Sequence, residues 1–129
     1  MAFHKFTRAI LDGRPIVMYG DGTQTRDFTY IDDIVEGLVR AFKAPQGSVM
    51  NIGGGNGVSL AEAIVTLGDV MDVRPEIDQR AVEAGDVRDT LADVSRFADA
   101  VGYRPTTPLP EGLRAECAWL DESTVVGTA

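Results

Sequence analysis

The two side chains that build most reactive centres are nearly missing from this sequence, whose 129 residues hold one cysteine, Cys117, and one histidine, His4. A single thiol excludes an intrachain disulfide and points to a reducing compartment. One thiol and one imidazole are also too few for a zinc site of the usual ligand set. No apolar run approaches the roughly 18 to 20 residues that a membrane helix requires. The opening Met-Ala-Phe-His-Lys lacks the apolar segment of a secretory leader. Basic residues are in deficit, 12 against 20 acidic, for a net charge of −8. That balance argues against non-specific nucleic-acid binding, which needs clustered lysine and arginine to displace phosphate counterions. The absences together predict a soluble, cytoplasmic protein with neither nucleic acid nor membrane among its partners.

Three short motifs are missing as well. Gly53-Gly54-Gly55-Asn56-Gly57 follows an apolar run and precedes a helical pattern, yet the sixth position from Gly53 is Val58 and from Gly55 is Leu60, so no G-x-G-x-x-G dinucleotide turn exists. A plain turn into a capped helix is the reading of that segment. There is no G-x-x-x-x-G-K-[ST] phosphate loop. Tyr19, Tyr30 and Tyr103 are followed four positions later by Thr23, Ile34 and Thr107, so no Tyr-x-x-x-Lys pair is present.

What remains suffices for one domain, with 44% hydrophobic and 25% charged residues and no internal repeat or linker. Residues 1–121 carry the pattern, and residues 122–129 read as a disordered tail. Phe3, Phe6 and Ile10 recur at helical spacing from Ala2 to Leu11, and Gly13-Arg14-Pro15 stops that helix. His4 is a surface residue on it. Ile16 to Tyr19 is a short buried strand, and Arg26 to Tyr30 alternates as another. A helix from about Asp32 to Ala44 has Ile31, Ile34, Val35, Leu38, Val39 and Phe42 on one broad apolar face. Asp32 and Asp33 complement its dipole, a commoner role than a metal site.

Ser48 to Ile52 reads as a strand. Ser59-Leu60-Ala61-Glu62 matches a capping box for a helix through Ala63, Ile64, Leu67 and Val70. A strand is expected near Glu76 to Val82. Asp93 or Ser95 caps a helix ending at Gly102, and Thr107-Pro108 reads as an N-cap with proline at the first helical position. The last helix carries Leu113, Cys117 and Leu120 on one stripe, with Cys117 as core filling. Strands alternating with helices predict an α/β class with few, short, mainly parallel strands.

The most informative stretch is Tyr19-Gly20-Asp21-Gly22-Thr23-Gln24-Thr25-Arg26-Asp27-Phe28-Thr29-Tyr30. Glycines let the backbone turn and let a ligand approach, and an arginine held there offers a fork of donors suited to phosphate or carboxylate. The competing reading pairs Arg26 with Asp21 or Asp27 in a structural turn. Gly85-Asp86-Val87-Arg88-Asp89-Thr90 is either an ordinary turn or a second ligand-contacting loop.

Taken in order, Met1-Ala2-Phe3-His4-Lys5-Phe6, Gly13-Arg14-Pro15-Ile16, Tyr19 through Asp33, Asn51-Ile52-Gly53-Gly54-Gly55, Val58-Ser59-Leu60, Gly85-Asp86-Val87 to Asp93, and Gly102-Tyr103-Arg104-Pro105 to Leu113 resemble the nucleotide-sugar epimerase/dehydratase family. These are extended short-chain dehydrogenases/reductases, and among them the chain is most similar to UDP-glucose and UDP-glucuronate 4-epimerases. The resemblance implies the C-terminal, substrate-binding portion of such an enzyme, lacking the N-terminal Rossmann half with its NAD-binding turn and catalytic tyrosine and lysine. It therefore implies a UDP-sugar ligand, NAD in the full-length family but none held by this chain alone, and no catalytic residue here. A family dehydratase or decarboxylase, or a stand-alone dimeric binding module, remains as an alternative.

Carried over by position, Val17 and Tyr19 would flank the uracil, and Arg26 would contact the diphosphate. Asp86 and Thr90 would face the ligand from the second loop. At Glu83 many members place an arginine that also grips the diphosphate; a glutamate there would repel the ligand, so either Arg88 substitutes or binding is weak. The apolar face from Ile31 to Phe42 would be covered by a second copy, in a homodimer, or by the missing N-terminal half.

Overall fold

The computed structural model describes residues 2–82 and 85–126, with residues 122–126 as backbone only. Among the described residues the order is α1 (Ala2–Leu11), β1 (Ile16–Tyr19), β2 (Thr25–Asp27), α2 (Ile31–Ala41), β3 (Gly57–Ser59), α3 (Leu60–Val70), β4 (Ile77–Arg80), α4 (Ser95–Val101) and α5 (Leu109–Val126). This is an α/β arrangement with two small sheets. β1 and β4 pair in parallel, with Ile16 opposite Ile77 and Tyr19 opposite Arg80. β2 and β3 pair antiparallel, with Arg26 opposite Val58.

Helical periodicity places Phe6 and Ala9 of α1, Ile64 and Leu67 of α3, and Leu113 of α5 on inward stripes. They meet Ile16 and Met18, the inward alternate residues of β1, in one core. Ile16 and Leu67 are fully covered, and burying each such side chain contributes about 1.5–3 kcal/mol. Cys117 packs at the edge of this cluster, as expected of core filling. α3 begins as its capping residues dictate: the Ser59 hydroxyl accepts the Glu62 N–H at 3.1 Å. α4 ends at Gly102 in the left-handed region, φ 67°, and Asp93 accepts the Ser95 N–H at 3.0 Å at its start.

Three sequence expectations change. Ser48 to Ile52 forms no strand; a strand needs a ladder partner, and Val49 is exposed with none among the described residues. The strand expected over Arg26–Tyr30 is Thr25–Asp27, because β3 is only long enough to pair those three residues. Thr107 does not cap α5; its N–H is donated to the Asp33 carboxylate at 2.9 Å, and the Pro108 carbonyl accepts from Glu111 and Gly112 instead. The backbone of α5 is helical to Val126, and residues 127–129 of the tail expected from residue 122 lie outside the described residues.

α2 stands apart from the core. Its Gly37 side packs on Ile52 and Tyr103, whereas Ile31, Val35, Leu38, Val39 and Phe42 are 50–94% exposed. No helix among the described residues is long and apolar enough to cross a membrane.

Candidate functional site

The parallel pair β1–β4 ends at Tyr19 and Arg80, and the chain leaves both strands into loops. Ligands of α/β sheets gather at the carboxyl ends of parallel strands. There, Tyr19, Gly20, Asp21, Gln24, Gln79, Arg80, Val82, Asp86 and Arg88 are among the residues around an open groove of about 510 Å³. Gly22 makes the first loop tight: its φ is +80°, and a Cβ there would lie 3.0 Å from both Ala61 Cβ and Met18 Sδ. The Thr23 hydroxyl and N–H both donate to Asp21 Oδ1 at 2.6 and 3.0 Å. Those two bonds, the hydroxyl's first, hold the Asp21 carboxyl below its ordinary range.

Backbone groups of β1 are divided between two edges. Ile16 and Gly20 donate their N–H groups to carbonyls of Glu76 and Arg80. The alternate residues Val17 and Tyr19 therefore direct theirs to the opposite edge, on which no strand pairs among the described residues. The Tyr19 carbonyl there accepts from Gln24 Nε2 at 2.7 Å.

Arg26 is not among the residues that line this groove. One guanidinium nitrogen donates to Asp86 Oδ1 at 2.6 Å; the other donates to the Thr25 and Arg88 carbonyls at 2.8 and 3.0 Å. Arg26 thus pairs with neither Asp21 nor Asp27 but with Asp86, and it fastens the loop 85–90 to β2. Thr25 N–H to the Arg88 carbonyl and Thr90 N–H to the Thr25 carbonyl complete that seam. Of the residues singled out from sequence, Tyr19, Asp86 and Arg88 line the groove, while Val17, Arg26 and Thr90 do not. Glu83 lies outside the described residues.

Two acids escaped the sequence argument as structural nodes. Asp27 Oδ2 accepts the N–H groups of Gly55 and Ala92 at 3.0 and 3.3 Å, and the Thr29 hydroxyl accepts that of Gly54 at 2.9 Å. The Gly54 and Gly55 amides are consequently turned onto Thr29 and Asp27 and are not presented to a pyrophosphate. These residues do not fit a dinucleotide's phosphates. Asp27 Oδ1 is buried without a hydrogen-bond partner among the described residues.

Asp33, 8% exposed, accepts from Thr107 N–H and, at 3.0 Å, from the Tyr103 hydroxyl. Burial pushes its carboxyl upward, but the bonds from Thr107 and Tyr103 outweigh burial and the net shift is downward. Among the described residues no group of three histidine, cysteine or carboxylate side chains is placed to hold a metal ion.

Residues 1–53 match the model of the NAD dependent epimerase/dehydratase family. A UDP-glucuronate 4-epimerase of Thermodesulfobacterium geofontis is 33% identical over 124 residues, which cover 95% of this chain and 38% of that protein. The crystal structure of the UDP-glucuronic acid 4-epimerase of Bacillus cereus, with UDP-glucuronic acid and NAD, superposes with a TM-score of 0.88 at 36% identity, over 95% of this chain and 40% of that one. The UDP-glucose 4-epimerase of Thermotoga maritima, with UDP-glucose, gives 0.90 at 27% identity, over 96% and 40%. The chain spans about two fifths of the length of these proteins.

Proposed function

We propose that this chain, which matches the NAD dependent epimerase/dehydratase family model over residues 1–53 and superposes on part of such an enzyme, is the UDP-sugar-holding part of a 4-epimerase of the UDP-glucose or UDP-glucuronate type. One observation carries the proposal: the groove at the carboxyl ends of β1 and β4 joins an aromatic wall, Tyr19, to arginines and to the loop 85–90. Tyr19 is a flat apolar surface for a uracil, and the backbone edge at Val17 and Tyr19 supplies the polar groups that read it. The diphosphate faces Arg88, which is 82% exposed, and reaches Arg26 by displacing Asp86 from its guanidinium. Thr90 anchors the loop behind them.

In a whole enzyme of this type, NAD would supply the hydride chemistry at the sugar's C4. This chain contributes neither the dinucleotide turn nor a Tyr-x-x-x-Lys pair, so its part is to bind and orient the sugar nucleotide, and alone it turns nothing over. Titration calorimetry of the full chain with UDP and UDP-glucuronate tests this. Binding that Arg26→Ala and Arg88→Ala each weaken is the expected result; no heat with either ligand at millimolar concentration would overturn the proposal.

A second reading, a dimeric interaction module, is favoured by one feature, the exposed face of α2. Sedimentation velocity distinguishes it: a dimer abolished by Phe42→Glu supports pairing of two copies, while a monomer that binds UDP leaves that face to the rest of a longer enzyme.

A further inference from the structure

We propose that Arg80 is a specificity-determining residue of the groove, its planar guanidinium forming with Tyr19 a continuous surface on which a nucleobase stacks. The inference rests on the sugar-nucleotide reading of the groove. Tyr19 and Arg80 are directly opposite in the β1–β4 register, and directly opposed residues place their side chains on the same face of the pair. Both line the groove. Whatever covers the tyrosine ring therefore borders the guanidinium.

The arginine is also held in place before any ligand arrives. Its Nε and one terminal nitrogen both donate to Asp78 Oδ2, at 3.0 and 2.7 Å. Two bonds to one oxygen fix the plane of the fork, and the residue two positions away along the strand shares its face. A guanidinium so oriented presents a flat π surface, which stacks on planar rings as a lysine ammonium cannot. Arg88 is different: it lies on the loop across the groove, 82% exposed, with Asp89 as a loose partner at 3.9 Å. It suits a phosphate, which needs charge and not a plane. The groove thus divides its cations, Arg80 for the base and Arg88 for the phosphates.

The test compares uridine, UMP and UDP binding to the full chain and to Arg80→Ala, Arg80→Lys and Arg88→Ala, by calorimetry or ligand-observed NMR at low and high salt. Arg80 is 53% exposed, so its replacement leaves the core untouched. Stacking by an exposed side chain lies at the lower end of its range, and the expected loss for Arg80→Ala is about fivefold. That loss is the same for all three ligands and insensitive to salt, and Arg80→Lys does not restore it. Arg88→Ala spares uridine and weakens UDP most. A loss that grows with the number of phosphates, or full rescue by lysine, would make Arg80 a phosphate cation and overturn the inference. Wild-type binding unchanged in Arg80→Ala would overturn it alone, and a wild-type chain that binds none of the three would overturn the groove's assignment with it.

Discussion

If the diphosphate reaches Arg26 only by exchanging places with Asp86, then removing the charge at position 86 must strengthen binding. Asp86→Asn makes that change with little alteration of shape. The pair it breaks is short, 2.6 Å, but partly open, with side chains 26% and 39% exposed. Exposed pairs contribute about 0.2–1 kcal/mol after screening, and the better-covered guanidinium argues for the upper end. A ligand spared a cost of about 1 kcal/mol binds about fivefold more tightly. Arg26 stays in position in the variant because the Thr25 and Arg88 carbonyls still accept from it. The assay is UDP titration of wild type and Asp86→Asn at 0.05 and 0.5 M salt. The advantage of the variant should shrink at high salt, where the Debye length falls to about 4 Å. Weaker binding by Asp86→Asn would mean that the carboxylate itself holds the ligand. Equal binding, together with an inert Arg26→Ala, would make Arg26 a structural fastening for the loop 85–90 and no part of recognition.

Other consequences can be checked on the same preparation. Asp33→Ala leaves the Thr107 N–H and Tyr103 hydroxyl without their acceptor, at a cost of about 2–3 kcal/mol, read as a lower urea midpoint with unchanged slope. Since the Asp33 carboxyl is held below its unfolded value, its contribution is present above about pH 4 and is lost as pH falls through the lowered folded value. The acid unfolding limb should therefore be steeper in wild type than in Asp33→Ala, and identical limbs would remove Asp33 as its cause. Ser59→Ala deletes the cap of α3 and should cost about 1 kcal/mol in thermal or urea unfolding. Phe42→Glu, at a position 94% exposed, should leave stability within about 0.5 kcal/mol; a large loss of stability would mean that α2 is covered in the folded chain.

Local pattern was sufficient where one element meets the core on its own terms. The stripe Phe3, Phe6 and Ile10, the alternation Ile16 and Met18, and the Ser59 cap each encode their surroundings within a few residues, and α1, β1 and α3 begin and end close to the expected limits. It was insufficient where structure is decided by a distant partner. Residues 48–52 have strand composition but no ladder, whereas Gly57–Ser59, with a glycine at its start, becomes a strand because β2 is there to pair it. Asp33 carries every sign of a helix-start acid, and only the arrival of Thr107, 74 positions away, makes it a buried acceptor. Arg26 was legible as a fork in need of an anion; that the anion within the protein is Asp86, 60 positions away, was not.

The charges around the groove follow one rule. Arg26 has Asp86 at 2.6 Å, Arg80 has Asp78 at 2.7 Å and Arg88 has Asp89 at 3.9 Å. An acidic protein with a net charge of −8 attracts an anion poorly from a distance, so each guanidinium must work at contact. At Arg26 the Asp86 carboxylate orients the guanidinium beforehand, which lowers the entropy lost on binding, but also competes with the incoming phosphate. Recognition then becomes exchange of one anion for another, with little net release of counterions. A shallow salt dependence of UDP binding, well below that of a site built from unpaired cations, is the consequence. A steep one would show that the arginines meet the ligand without giving up their acids.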